Sequence, residues 1–373
     1  MTMQRALVIG AGLSGLTAAL RAAQAAPESE IVVLERAARV GGQIWSERAG
    51  DVLVERGGEG FVFRSEAVPR LATDVGLADQ LIGQAVFTSY GFGERGLLAL
   101  APGEAATYLG FQVPREDLGR GIRTLRDGMG ALVDGLAKAL ERSGVMLRCG
   151  VAVTSVAREG DALRARCADG TTLDASCIAI ATTAADAAPM LSSMVDPERC
   201  SALASATTVS SITVELELDR AAIDHPLDGT GFVVATALQE HGLRACTFTT
   251  SKFEGRAPRE RVLLRAFFRP EESDATLDDA AWLARATAGL RRVLGLRGTP
   301  LRGWVSRWPN ALPVHSPAYA TTVEQVEAAL HPHRVCLAGA AFHGSGIDAA
   351  VRSGDNAARF LAAALTTKQA RPR

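Results

Sequence analysis

The order of apolar and amphipathic segments along the chain predicts an α/β fold. Residues 6–9 are apolar on both faces, which is typical of a buried parallel strand. Residues 14–25 are rich in alanine and predict a helix, and residues 30–36 ("EIVVLER") form a second apolar run that predicts another buried strand. A strand, a helix and a strand in this order are expected to form a βαβ unit.

The middle of the chain is patterned differently and predicts antiparallel strands. Residues 145–182 alternate apolar and polar positions, which predicts a small meander that turns at Asp169-Gly170 and returns to a buried strand. Residues 206–270 contain four further strand-like segments. The other predicted elements are two strands around a Gly-Gly turn at 50–63, helices at 67–82, 127–144, 278–296 and 351–365, and a strand at 334–342.

The composition is that of an ordinary globular protein and argues against several classes of partner. The 373 residues suffice for two domains, and 47% of them are hydrophobic and 22% charged. The formal net charge of −1 predicts no broad basic surface for nucleic acid. No apolar run reaches the ~18 residues that a membrane-spanning helix needs. The six cysteines are scattered without a C-x-x-C pair, so we interpret them as core residues in a reducing cytoplasm, not as metal ligands.

A glycine pattern between the first strand and the first helix predicts a dinucleotide site. Gly10, Gly12 and Gly15 match G-x-G-x-x-G, in which the glycines allow a tight turn, close approach of a pyrophosphate and close helix packing, respectively. The helix N terminus would face the phosphates, where its free N–H groups favour anions. Glu35 ends the second strand about 20 residues beyond the loop, where a carboxylate can bind ribose hydroxyls.

A second glycine pair favours a flavin dinucleotide over a nicotinamide one. The segment "ERAARVGGQIWS" (35–46) resembles the second signature of flavoproteins of the monoamine oxidase and protoporphyrinogen oxidase superfamily. In that superfamily the glycine pair, here Gly41 and Gly42, lets the chain pass under the diphosphate and flavin. The alternative is a flexible turn, because Gly-Gly is also a common turn dipeptide.

The end of the chain carries the more specific resemblance. "RVCLAGAAFHGSGIDAAVRSGDNAARFL" (334–361) resembles the C-terminal flavin motif of the protoporphyrinogen oxidases, and Ala340 follows Gly339 where monoamine oxidases usually carry an acid. The resemblance implies bound FAD. It assigns to the cofactor site Gly10, Gly12, Leu13, Ser14, Gly15, Glu35, Arg36, Gly41, Gly42, Gln43, Val153, Gly339, Gly346 and Ile347.

The resemblance also implies the reaction and the domain arrangement. The expected protein is an FAD-dependent oxidoreductase that transfers hydride from a substrate C–H to flavin N5, with oxygen as the electron acceptor. The expected fold class is α/β, with a Rossmann-like FAD-binding domain and an inserted β-sheet-based (α+β) substrate domain. The predicted FAD-binding domain comprises residues 1–85, 128–185 and 331–373, and the substrate domain comprises residues 86–127 and 186–330.

Two polar side chains are candidates for catalysis. His343 lies in the C-terminal loop and could act as a base or orient a substrate; the alternative is that it caps the loop or faces water. Glu59 follows the Gly57-Gly58 turn, which passes near the flavin in relatives; the alternative is a solvated hairpin acid.

One departure from the family concerns the substrate. Relatives carry a long helical insert that forms part of the substrate cavity and of the membrane-facing surface, whereas only about 40 residues (90–128) occupy this interval here, with one weak helix at best. A smaller amine or pyrroline substrate, oxidised or desaturated in a biosynthetic pathway, is therefore an alternative to a tetrapyrrole, and membrane association is not expected. A further alternative is a flavin-binding subunit that a partner protein or a second copy completes.

Overall fold

The computed structural model describes residues 4–110, 115–117, 119–160 and 162–366, and these form twenty strands and eleven α-helices. The strands are β1 (Arg5–Ile9), β2 (Glu30–Glu35), β3 (Ser46–Ala49), β4 (Val52–Glu55), β5 (Phe61–Val62), β6 (Leu81–Gly83), β7 (Ser89–Gly93), β8 (Gly96–Leu100), β9 (Ile122–Leu125), β10 (Met146–Cys149), β11 (Val153–Glu159), β12 (Ala162–Cys167), β13 (Thr172–Ala175), β14 (Cys177–Ile180), β15 (Thr208–Asp219), β16 (Gly231–Val234), β17 (Leu243–Phe248), β18 (Arg261–Phe268), β19 (Arg302–Pro313) and β20 (Val335–Leu337). The helices are α1 (Leu13–Ala25), α2 (Ala67–Asp74), α3 (Glu104–Tyr108), α4 (Gly130–Arg142), α5 (Ala184–Met190), α6 (Pro197–Ala204), α7 (Thr249–Lys252), α8 (Asp279–Leu294), α9 (Pro317–Leu330), α10 (Ala340–His343) and α11 (Ile347–Thr366).

A five-stranded parallel sheet carries the predicted dinucleotide unit. Its order is β10-β2-β1-β14-β20, so strands distant in sequence are neighbours in space. On β1, Ala6 and Val8 face a core shared with α1, α4 and α11, while Leu7 and Ile9 face a second core shared with β11–β13, α5 and α9. Because both faces are covered, the strand is apolar throughout, as the sequence predicted. The α/β class with a Rossmann-like sheet is thereby confirmed.

A seven-stranded sheet forms the second part of the molecule. Its order is β19-β15-β18-β17-β16-β7-β8, and all its pairs are antiparallel except β16 with β7. Helix α8 packs on one face, where Trp282 is buried against Phe268. The interval 90–128 contributes strands to this sheet and to a small sheet with β5 and β6, and its one α-helix among the described residues is the five-residue α3.

Several predicted elements are wrong in detail, each for a local reason. The helix predicted at 67–82 ends at Asp74, because Gly76 adopts φ +77° and breaks the helical hydrogen bonding. The two strands at 50–63 exist but do not pair with each other: β4 pairs with β3, and β5 pairs with β9. The first strand of the predicted meander, β10, pairs with β2 in the parallel sheet, so the meander consists of β11–β13.

The C-terminal region also differs from its prediction. The strand predicted at 334–342 ends at Leu337, and after Gly339 (φ +110°) the chain forms the short helix α10. The closing helix α11 begins at Ile347, four residues earlier than predicted. Strand β19 and helix α9 were not predicted. Within the described part of the chain, no helix has both the length and the apolar character that crossing a membrane requires.

Candidate functional site

The G-x-G-x-x-G loop joins β1 to α1 at the carboxyl end of the parallel sheet. Gly10 has φ +106°, and a Cβ there would lie 2.4 Å from the carbonyl oxygen of Ala181. A Cβ on Gly15 would lie 1.9 Å from the carbonyl oxygen of Gly10. Packing within the protein therefore explains both glycines. A Cβ on Gly12 would meet no atom of the described residues within 4 Å, so the loop leaves a space beside Gly12 that a side chain would fill.

The second glycine pair lies directly against this loop. The N–H of Gly41 donates to the carbonyl oxygen of Ala11 over 2.7 Å, and Gly41 forms an isolated parallel bridge with Gly12. A Cβ on Gly42 (φ +56°) would lie 3.3 Å from the Cα of Gly12. Arg39 donates to the carbonyl oxygen of Gly42 over 2.7 Å and holds this turn. The two glycine segments thus form one open backbone surface of the kind a diphosphate can approach.

Glu35 is held beside this surface by two backbone hydrogen bonds. Its Oε2 accepts from the N–H of Ala11 over 2.7 Å, and its Oε1 accepts from the N–H of Ala37 over 2.8 Å. Each carboxylate oxygen has further accepting capacity, so ligand hydroxyls can still bind. Arg36 forms an ion pair of 2.7 Å with Asp186 at the surface.

Residues from both ends of the chain meet at the start of α1. Leu13 and Ser14 are buried in its first turn. A Cβ on Gly339 would lie 3.5 Å from the Oγ of Ser14, which shows how closely the C-terminal motif approaches the glycine loop. Gly346, with φ +98° and open space where a Cβ would point, precedes Ile347, the first residue of α11.

The two remaining predicted cofactor residues lie at the margins of this group. The side-chain amide of Gln43 donates to the carbonyl oxygen of Ala311 on β19 over 2.7 Å, which connects the glycine-pair segment to the large sheet. Val153 is buried at the start of β11. Two residues earlier, the N–H of Val151 donates to the carbonyl oxygen of Glu35 over 2.8 Å, so Val153 lies toward the Glu35 end of the group.

His343 has hydrogen-bond partners at both ring nitrogens. Its Nδ1 lies 2.7 Å from the Oγ of Ser353, and its Nε2 lies 3.1 Å from Glu327. The same Ser353 hydroxyl accepts from the N–H of Gly339 over 2.7 Å. A general base needs a nitrogen within reach of the substrate, so this geometry favours the alternative in which His343 holds the C-terminal loop. Its action as a base stays a prediction.

Glu59 is not a solvated hairpin acid. Its side chain is 13% exposed, its Oε1 accepts a short hydrogen bond from the ammonium of Lys252, and its Oε2 lies 3.6 Å from Nη1 of Arg265. Burial alone raises the pKa of Glu59, but the combined positive charges of Lys252, Arg265 and Arg256 outweigh burial and lower it. The carboxylate is therefore ionised near neutral pH.

Glu59 belongs to a larger group of buried charges that the sequence did not reveal. We define the buried ion cluster as three acids and three bases between the Gly57-Gly58 turn and the seven-stranded sheet: Glu55, Glu59, Glu215, Lys252, Arg256 and Arg265. Glu55 accepts from the N–H of Met129 over 2.9 Å and from the hydroxyl of Ser46 over 2.6 Å.

Glu215 is a deeply buried acid of the buried ion cluster. It is 2% exposed, and one oxygen accepts from the hydroxyl of Thr249 over 2.8 Å, while the other has no hydrogen-bond partner among the described residues. Burial raises the pKa of Glu215 to about 7 despite the nearby charge of Arg265. In the sequence Glu215 alternates with apolar residues, a pattern that equally suits a strand with one face in water, so it gave no sign of burial.

The fold combines a Rossmann-like parallel sheet with a large, mostly antiparallel sheet, and its glycine segments and Glu35 form a surface that a dinucleotide could occupy. The chain belongs to the flavin-containing amine oxidoreductase family, whose model matches residues 87–361; residues 8–75 match an NAD(P)-binding Rossmann-like domain. It is thus a flavin-dependent oxidoreductase of the protoporphyrinogen oxidase type, as the sequence predicted.

Relatives and solved structures agree with this assignment. A coproporphyrinogen III oxidase of Bacillus subtilis (strain 168) is 23% identical over 457 aligned positions, which cover 93% of this chain and 96% of the relative. One from Propionibacterium freudenreichii subsp. freudenreichii is 31% identical over 229 positions, 61% of this chain and 42% of the relative. A protein of Exiguobacterium sp. 255-15 assigned as a protoporphyrinogen oxidase superposes with a TM-score of 0.84 at 20% identity, covering 97% of this chain and 99% of that chain. A double mutant of putrescine oxidase superposes with a TM-score of 0.69 at 15% identity, over 97% of this chain and 100% of that chain.

Proposed function

We propose that the protein is an FAD-dependent oxidase that removes a hydride from a carbon–nitrogen or carbon–carbon unit of a small nitrogen-containing substrate. The bound flavin supplies the electron-accepting chemistry, and oxygen is the final acceptor. The observation that carries the proposal is the space beside Gly12, because it lies where Gly41, Gly42 and Glu35 converge and no described residue fills it.

The chain's own residues have separable parts in this function. Gly12, Gly41 and Gly42 expose backbone to the diphosphate, and Glu35 offers carboxylate oxygens to the ribose. Leu13, Ser14 and Gly15 place the α1 N terminus. Gly339, Gly346 and Ile347 place the α11 N terminus, and Gln43 and Val153 bound the site.

We further propose the domain boundaries given above, with residues 1–85, 128–185 and 331–373 forming the cofactor domain. Of these, residues 1–3 and 367–373 lie outside the described residues, as does residue 161.

A tetrapyrrole substrate is the second candidate, and a specific observation favours it. The curated relatives are coproporphyrinogen III oxidases. Against it stands the length of the chain: the Bacillus subtilis alignment spans 457 positions, more than the 373 residues present here. The relative therefore carries residues that this chain lacks, in agreement with the short interval 90–128.

The cofactor part of the proposal can be tested on purified protein. We expect yellow protein whose extracted cofactor is FAD, reducible by substrate without air and reoxidised in air with release of peroxide. Glu35→Ala removes the ribose acceptor and the partner of the Ala11 N–H, and should weaken FAD binding by roughly 1–3 kcal/mol, about 5- to 150-fold in Kd. The exposed Glu28→Ala is the control. Tight binding of NAD without flavin would contradict the proposal.

A further inference from the structure

The buried ion cluster packs against the Gly57-Gly58 turn, and this turn contacts both the glycine-pair segment and the start of α11. Arg265 donates to the carbonyl oxygen of Gly57 over 2.5 Å, and the N–H of Gly58 donates to the carbonyl oxygen of Gln43 over 3.1 Å. A Cβ on Gly58 would lie 3.4 Å from Ile347, the first residue of α11. The carboxylate of Glu59, the residue after Gly58, therefore lies close to the proposed cofactor site but does not line it.

Lysine is a rare choice in this chain. Of 40 basic residues only three, Lys138, Lys252 and Lys368, are lysines, and the other 37 are arginines. Lys138 is exposed, whereas Lys252 is 9% exposed and bonded to Glu59. An ammonium is a compact point charge, while a guanidinium is a planar fork that spreads its charge over several partners. The compact ammonium group of Lys252 thus occupies a buried position near the Gly57-Gly58 turn.

The buried ion cluster has more positive than negative charge when Glu215 is protonated. Lys252, Arg256 and Arg265 then face two carboxylates, Glu55 and Glu59, which leaves one net positive charge. One oxygen of Glu215 and the Nε atoms of both arginines have no hydrogen-bond partner among the described residues. With Glu215 protonated, the cluster therefore carries one positive charge that its own acids do not balance. In a buried site such a charge acts over longer distances than it would in water.

We propose that Lys252, which its ion pair with Glu59 holds in place, is a positioning residue. Its positive charge next to the Gly57-Gly58 turn raises the reduction potential of the bound flavin. Hydride transfer moves two electrons and one proton to the flavin, and any further substrate proton leaves to solvent. The cofactor site gains one negative charge in this step, which a nearby cation stabilises. Reoxidation passes the two electrons to oxygen, which forms peroxide with one proton from the flavin and one from solvent. The inference rests on the proposed flavin function.

Two nearly isosteric substitutions separate this role from a structural one. Lys252→Met removes one positive charge and should lower the flavin potential, whereas Glu59→Gln removes one negative charge and should raise it. The double variant restores the net charge of the cluster and should return close to the wild-type potential. A residue that served only to hold the fold would not give shifts of opposite sign.

The measurement is an anaerobic equilibrium titration of the holoprotein against a reference dye. We expect each single variant to change the ratio of reduced to oxidised flavin at a fixed dye potential at least tenfold, which is about 30 mV for a two-electron couple. Lys252→Arg should retain most of the wild-type potential, and Lys138→Met serves as the surface control.

Each outcome is decisive. Shifts of the same sign, or no shift with normal flavin content, would overturn the inference. If Lys252→Met does not fold, the sign for Glu59→Gln and the value for the double variant still decide. A wild-type protein without flavin would instead refute the proposed function, so the two failures are distinguishable.

Discussion

At the scale of single residues, the three glycines of the G-x-G-x-x-G motif lack side chains for different physical reasons, and the structure distinguishes them. The sequence motif assigned the three glycines to a tight turn, to the approach of a pyrophosphate and to helix packing, and the structure gives the space available at each of them. Gly10 and Gly15 have no room for a side chain inside the protein, since an added Cβ would meet backbone oxygens at 2.4 and 1.9 Å. Gly12 has an ordinary φ of −70° and open space. Only Gly12 is therefore a test of ligand binding that leaves the fold intact.

The Gly12→Val variant should fold normally and lose its cofactor. A valine side chain fits the empty space but occupies the position in which we place the diphosphate. We expect colourless protein whose unfolding midpoint in urea matches that of wild-type protein stripped of cofactor. Gly15→Val, which must displace the Gly10 carbonyl, is the contrasting variant and should fail to fold. Normal flavin content in Gly12→Val would mean that the loop does not hold the cofactor.

Among the elements, the pattern of apolar and polar positions correctly predicted the strands and helices whose burial follows that pattern. It failed for strands whose polar face is covered by a second layer of the structure. Strand β1 and helix α4 have the burial that their patterns indicate. Strand β19 was missed because its proline-rich end resembles a loop, and its pairing partner β15 lies about 100 residues away in sequence. In β15, Glu215 and Glu217 occupy the polar face of an amphipathic pattern, yet both are only 2% exposed. Local pattern cannot show that a second layer covers a polar face.

The burial of Glu215 on β15 predicts a pH-dependent stability. Burial raises its pKa in the folded state to about 7, above the ordinary value of 4.5, so the folded protein binds the proton more tightly than the unfolded chain does. This contribution to the free energy of unfolding is full below pH 4.5 and is lost as the pH rises toward 7. Arg265 opposes the pKa rise, and Glu59 and Glu55 add to it.

Replacement of Glu215 by glutamine should remove this pH dependence. At about 1.4 kcal/mol per pKa unit, wild-type protein should lose roughly 3 kcal/mol relative to Glu215→Gln between pH 4.5 and 8. Urea unfolding of both proteins at pH 5 and pH 8 measures the difference. Glu254→Gln is a matched acid-to-amide control at an exposed position. Parallel pH profiles for wild type and Glu215→Gln would show that the carboxylate is ionised in the folded protein.

For the whole molecule, the sequence predicted a nucleotide-binding domain made of separated segments, because the sequence shows no internal repeat and no low-complexity linker. The parallel sheet combines β1 and β2 with β14 and β20, which supports that assembly, while the domain boundaries stay a prediction. The sequence could not predict where the short interval would go. Its strands β7 and β8 extend the large sheet at one edge and β9 pairs with β5 and β6, so the described residues of the interval mainly form strands and contribute one five-residue α-helix.

The structure of the interval 90–128 also bears on which substrate the protein accepts. A cavity for a tetrapyrrole must enclose most of its ligand, and one five-residue helix among the described residues of the interval cannot replace a multi-helix wall or provide a membrane-docking face. We expect the isolated chain to remain in the supernatant when lipid vesicles are sedimented, and to oxidise protoporphyrinogen and coproporphyrinogen III slowly, as followed by porphyrin fluorescence. Its flavin should be reduced by a smaller amine or pyrroline. Vesicle binding together with fast porphyrinogen turnover by the lone chain would contradict this prediction and favour a tetrapyrrole substrate. Fast turnover only after a second protein is added would instead assign the missing wall to a partner subunit.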